Sequence, residues 1–103
     1  MLGEYCLCNP KQVYVFERIE AAVNEMNMDS PKEYWGNREV NLMHLDVFLN
    51  PRAGSSKLDI VVFGGYAAKN KNIRIMFDFD LIESIDDSVA CAIDGIKREF
   101  DIQ

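Results

Sequence analysis

The chain has 103 residues, 49% hydrophobic and 11% aromatic, and a formal net charge of −6. That is enough apolar material for a core without disulfide or metal staples, and too much for a disordered chain. The negative balance argues against direct binding to nucleic acid or an anionic membrane, both of which need a basic footprint, and no apolar run approaches the roughly 20 residues of a membrane-spanning helix.

Leu2 to Cys8 alternates loosely and reads as a short edge strand or coil. Asn9-Pro10-Lys11-Gln12 is a helix start: Asn9 caps, Pro10 suits the first helical position, and Gln12 reaches back as in a capping box. Val13, Phe16, Ile19, Val23 and Met26 follow at helical spacing, which predicts a helix over Pro10–Met28 with Arg18 and Glu25 on its polar face. Asp29-Ser30-Pro31 ends it. Lys32 to Gly36 reads as one helical turn closed by glycine, with Tyr34 and Trp35 as a lid on the core; the alternative is a binding hot spot.

Leu45, Val47 and Leu49 alternate with His44, Asp46 and Phe48, so Asn41–Asn50 is expected to be a strand, although Leu42, Leu45 and Leu49 also fit a helix. Pro51 to Ser56 makes a loop. Lys57–Phe63 is strand-like and ends at Gly64-Gly65, with a polar turn from Tyr66 to Asn72. The clearest strand follows, in which Ile73, Ile75, Phe77, Phe79 and Leu81 alternate with Arg74, Met76, Asp78 and Asp80. Ser84 caps a last helix that carries Ile85, Val89, Ile93, Ile96 and Phe100. Its first-turn Asp86 and Asp87, and its last-turn Lys97 and Arg98, complement the helix dipole. Gly95 inside it suggests close packing on the sheet. The expected fold is a single α+β domain over residues 1–103. It is a two-layer sandwich with a three-stranded, possibly four-stranded, antiparallel meander flanked by an N-terminal and a C-terminal helix.

No catalytic constellation emerges. His44 is the one histidine, and no nucleophile and base stand at usable spacing, so the chain reads as a non-enzyme. Cys6, Cys8, Cys91 and His44 are too scattered for a zinc set. Gly64-Gly65 lacks the phosphate-loop and dinucleotide spacings, and Asp78-Phe79-Asp80 matches no calcium loop. No metal or cofactor is expected. The odd cysteine count and the absence of a charged-then-apolar leader point to a reduced, cytoplasmic protein.

Two surfaces are candidates. Residues 1–51 carry a charge of −4, 52–74 of +4 and 75–103 of −6. The acidic run Asp78, Asp80, Glu83, Asp86 and Asp87 contains no base. Same-face strand residues stand about 6.6–6.8 Å apart, so Asp78 and Asp80 would match every second phosphate of a DNA strand. The second surface is the outer sheet face, where Phe48, Val61, Phe63 and Met76 sit among charges, as at protein contacts. It could hold a homodimer, with Arg74 facing Asp78 and Asp80 across a two-fold axis. In length and acidity the chain is similar in type to small acidic inhibitors such as phage anti-defence and toxin-immunity proteins; no motif carries that likeness. The expected function is a protein-binding inhibitor or adaptor for a partner with a basic surface, such as a nuclease. The alternative is a structural or adaptor subunit that uses the apolar sheet face.

Overall fold

The computed structural model describes residues 9–50, 56–66 and 69–102, without the side chains of Tyr66 and Lys69. The expected N-terminal strand, with Cys6 and Cys8, and the loop at 51–55 lie outside the described residues.

Helix α1 spans Pro10–Met28, as its capping signals predict. Asn9 accepts from the Lys11 amide at 2.9 Å and Gln12 reaches back to the Asn9 amide at 3.3 Å. Its buried stripe is Gln12, Val15, Phe16, Ile19, Val23 and Met26. Gln12 is tolerated inside because its Nε2 donates to the Lys57 carbonyl at 2.7 Å, and a buried amide without a partner would be costly. Helix α2 spans Ile85–Glu99, with Ser84 accepting from the Asp87 amide at 3.3 Å.

Between the helices run five strands in two antiparallel sheets: β1 Lys32–Trp35 with β2 Arg38–Asn41, and β3 Met43–Asn50, β4 Lys57–Tyr66 and β5 Lys69–Asp78 in the order β3-β4-β5. Both helices pack on one face of the larger sheet, α1 over β3 and β4 and α2 beside α1 over β5. Met43, Leu45, Leu49, Leu58, Ile60, Val62 and Phe77 meet the helices there and are buried. Val47, Ile73, Ile75 and Phe79 pack against that core, so the expected alternation holds as far as Phe79, while Leu81 is exposed. The architecture is α+β, with terminal helices flanking a three-stranded meander.

Several local expectations fail. Lys32–Trp35 is a strand, not a helical turn, and it pairs with β2 in a hairpin that sequence reading missed. The tip is Gly36-Asn37, with Gly36 at φ +69, the positive value a two-residue hairpin turn of the II′ type needs at its first central position. Tyr34 and Trp35 are not a lid; they are 70% and 62% exposed. Gly64 and Gly65 do not end β4 but lie within it, and the polar run from Lys69 belongs to β5, so only residues 67 and 68 separate the two strands. Asp80 and Leu81 fall in a turn after β5, which ends at Asp78. Gly95 serves no close packing, since a Cβ there would meet nothing within 4 Å.

Candidate functional site

The five acids of the run from Asp78 to Asp87 separate in the fold. Asp78, Glu83 and Asp87 line one open groove of about 680 Å³ between β5 and the start of α2. Its apolar walls come from Ile75, Met76, Leu81, Ile82 and Ala92, and it contains no lysine or arginine. Asp80 lies in the turn, outside the groove, and its amide donates to the Asp78 carboxylate at 3.1 Å. The Asp78 carbonyl also accepts from the Leu81 and Ile82 amides, at 3.0 and 3.1 Å, which fixes the turn between Asp78 and Glu83, both of which line the groove. Because the strand stops at Asp78, regular strand spacing does not relate Asp78 to Asp80. The expected match of Asp78 and Asp80 to every second DNA phosphate therefore does not hold.

Asp86 points the other way. It accepts from the Tyr14 hydroxyl and from Arg18 Nη1 at 3.1 Å, and Arg18 also donates to Tyr14 at 2.8 Å. The Tyr14 hydrogen bond above all holds the Asp86 carboxyl below its ordinary value against the cost of desolvation, and the Arg18 guanidinium adds to it. Asp86 thus links α1 to α2 across their exposed side. One of the five carboxylates is neutralised by an ion pair that a reading of local spacing could not anticipate, since Arg18 is 68 residues away in sequence.

The apolar quartet is placed as expected, on the sheet face opposite the helices. Phe48 and Val61 are cross-strand partners, Phe63 lies opposite Asp46 and Asn72, and Met76 opposite Asp59. Phe48 and Met76 are each 51% exposed and Phe63 39%. Arg74 is not free to face a second molecule's acids, because its guanidinium is spent on Asp59 of the same face. His44 is on the same face, its Nε2 3.1 Å from Asp46 Oδ1.

Cys91 is a free thiol on the exposed side of α2. Among the described residues, no three His, Cys, Asp or Glu side chains come together in a way that could hold a metal ion. No helix among them is long and apolar enough to cross a membrane. Comparison with protein-family models, with curated proteins and with solved structures returned no match to this chain.

Proposed function

We propose that this chain is a non-enzymatic binding protein that docks on a partner protein through an acidic surface, as an inhibitor or adaptor of a basic, nucleic-acid-handling enzyme such as a nuclease. The observation that carries this reading is the groove itself. Asp78, Glu83 and Asp87 converge on an open, apolar-walled cleft that contributes no positive side chain. Carboxylates around exposed apolar surface give a partner both a steering field and area to bury. Asp87 also complements the α2 dipole, but Glu83 has no hydrogen-bonded role within its own turn and is the acid most available to a partner.

The test is a pull-down from the native host, repeated with Glu83→Gln and Asp87→Asn together and at rising salt. Steering and ion pairing through the groove should weaken in the double variant and with salt. Retention at unchanged affinity in both would overturn the reading. A second reading is favoured by the exposure of Phe48, Phe63 and Met76: a subunit of a larger assembly held through the outer sheet face. Loss of the partner with Phe48→Lys and Phe63→Lys, but not with the groove variant, would select it.

A further inference from the structure

The two edges of the large sheet are treated differently by the rest of the chain. At the β3 edge, Asn27 of α1 covers Leu45. Its Nδ2 donates to the Leu45 carbonyl at 2.9 Å and its Oδ1 accepts from the Leu45 amide at 2.8 Å. At the β5 edge the first half is guarded by charge, with Lys71 3.9 Å from Glu99 of α2 and lying over the Phe100 ring. Lysine on an edge discourages strand pairing. The second half, Ile75 to Asp78, has no such cover among the described residues and opens on the acidic groove.

The ladder tells which backbone groups this half presents. The Phe79 amide donates to the Ser56 carbonyl at 2.9 Å, one step beyond the Lys57↔Asp78 pair. Hydrogen-bonded pairs in an antiparallel ladder recur at every second residue. Phe77 and Ile75 therefore turn their amides and carbonyls to β4, while Met76 and Asp78 turn theirs outward. The Asp78 carbonyl is used by its own turn. Met76 keeps both its N–H and its C=O open among the described residues. Beside them lie the partly buried Ile75 and the 78% exposed Leu81.

We propose that the free half of the β5 edge binds an extended basic segment of a partner protein, which adds to the sheet as a further strand. This rests on the acidic-groove reading above and specifies how the partner engages it. Main-chain bonds to Met76 supply the register, and alternate side chains of the added strand fall into the groove. There, on the helix side, lysine or arginine passes Ile75 to meet Glu83 and Asp87, while the intervening apolar residues lie on the other face beside Met76. A second copy of this chain is the poorer occupant, because each copy's groove brings Asp78, Glu83 and Asp87 with no lysine or arginine, and Arg74, which a β5–β5 pairing about Met76 would set opposite Asp78, is already committed to Asp59.

The probe is the heptapeptide Lys-Val-Lys-Val-Lys-Val-Lys, titrated into the full chain and followed by amide chemical shifts, beside a copy methylated on every backbone nitrogen. The proposal expects saturable binding with shifts centred on Met76 and the first turn of α2, and at least tenfold weaker binding of the methylated copy. Met76→Pro removes the outward N–H without touching the ladder to β4, so it should fold and lose at least tenfold in affinity, while Met76→Ala should keep most of it. Equal binding of the two peptides, or no binding of either, would overturn strand addition. So would a dimer that Met76→Pro dissolves, since the edge would then belong to a second copy. Glu83→Gln with Asp87→Asn separates the two claims. If that variant binds the peptide unchanged while Met76→Pro does not, strand addition stands and the acidic reading fails; the reverse pattern leaves an acidic surface that does not extend the sheet.

Discussion

Asp59 stands on the outer, solvent-side row of β4 yet is 1% exposed, because the guanidinium of Arg74 on β5 lies across it. Arg74 Nε donates to both carboxylate oxygens, at 2.9 and 3.0 Å, Arg74 Nη2 adds a third bond, and Asn50 donates to Oδ2 at 3.2 Å. The pair joins all three strands of the sheet. Arg74 first, with Asn50 assisting, holds the Asp59 carboxyl below its ordinary value despite the opposing cost of desolvation.

A pH dependence follows from that pair. The unfolded carboxyl binds a proton more tightly than the folded one, so stability is fully present above the unfolded value, near about 3.9. It is lost as pH falls through the lower folded value. Thermal melts of the protein should show a falling midpoint on the acid side. Arg74→Gln should lower stability at neutral pH and flatten that acid limb, while a limb as steep as the parent's would show that Asp59 does not contribute to it.

Gly95 is a helical residue with open space where a side chain would go. Replacing it with alanine removes the entropic cost of glycine without meeting any neighbour. Gly95→Ala should stabilise by about 1 kcal/mol, which for a chain of this length is a rise in Tm of about 4–8 °C. Calorimetry checks it, and a fall in Tm would mean that α2 packs more tightly there than the structure indicates.

Gly64 is the opposite case. It sits in β4 at φ +138, and a Cβ would lie 2.1 Å from the His44 carbonyl oxygen on the neighbouring strand. Gly64→Ala must push β3 and β4 apart inside their ladder, where Gly64 pairs with Leu45. A loss of about 3 kcal/mol is expected, at the top of the range for strain at special backbone positions. Denaturant titration decides it; a loss under about 1 kcal/mol would require a relaxed ladder that the register does not contain.

Asn27 is the cap on the β3 edge. Asn27→Ala would leave the Leu45 amide and carbonyl without their partners and expose a strand edge. The expected cost is about 1–3 kcal/mol in denaturant titrations, together with faster aggregation than the parent at equal concentration. Unchanged stability and solubility would assign the edge another cover.

The legible parts of the fold were those encoded in short-range pattern. Asn9, Pro10 and Gln12 announce α1, and Ser84 with Asp86 and Asp87 announces α2, because caps are local chemistry. Alternation gave the inward and outward rows of β3 to β5 correctly. The β1–β2 hairpin was hidden because Lys32, Glu33, Tyr34 and Trp35 bury no face and so show no apolar alternation. Its signal was Gly36-Asn37, a two-residue turn between β-favouring aromatics and Val40. Gly64-Gly65 misled because glycine usually punctuates, whereas here it admits the neighbouring backbone. At the candidate site, the gathering of Asp78, Glu83 and Asp87 follows from one turn and one cap. The loss of Asp86 to Arg18, and of Arg74 to Asp59, depends on tertiary contacts that spacing does not carry.

The outer sheet face yields the last prediction. With Arg74 committed to Asp59, a two-fold contact through Phe48, Val61, Phe63 and Met76 cannot draw on Arg74 meeting Asp78 and Asp80 of a second molecule; it has to rest on apolar burial. Burial of that kind is strengthened by excluded salts, while ion pairing at the surface is screened by salt. If this face self-associates, light scattering at high protein concentration should give about twice the 11.8 kDa of one chain, and the dimer should persist or tighten in sodium sulfate. Phe48→Lys with Phe63→Lys should return it to one chain without unfolding it, because both side chains are partly in water and neither belongs to the core. The same variant should leave binding of the lysine–valine heptapeptide intact, since that peptide is read by the β5 edge and groove. A mass of one chain at every concentration would leave the outer face without a self-partner, and a dimer that dissolves in salt would place the contact on charged residues instead.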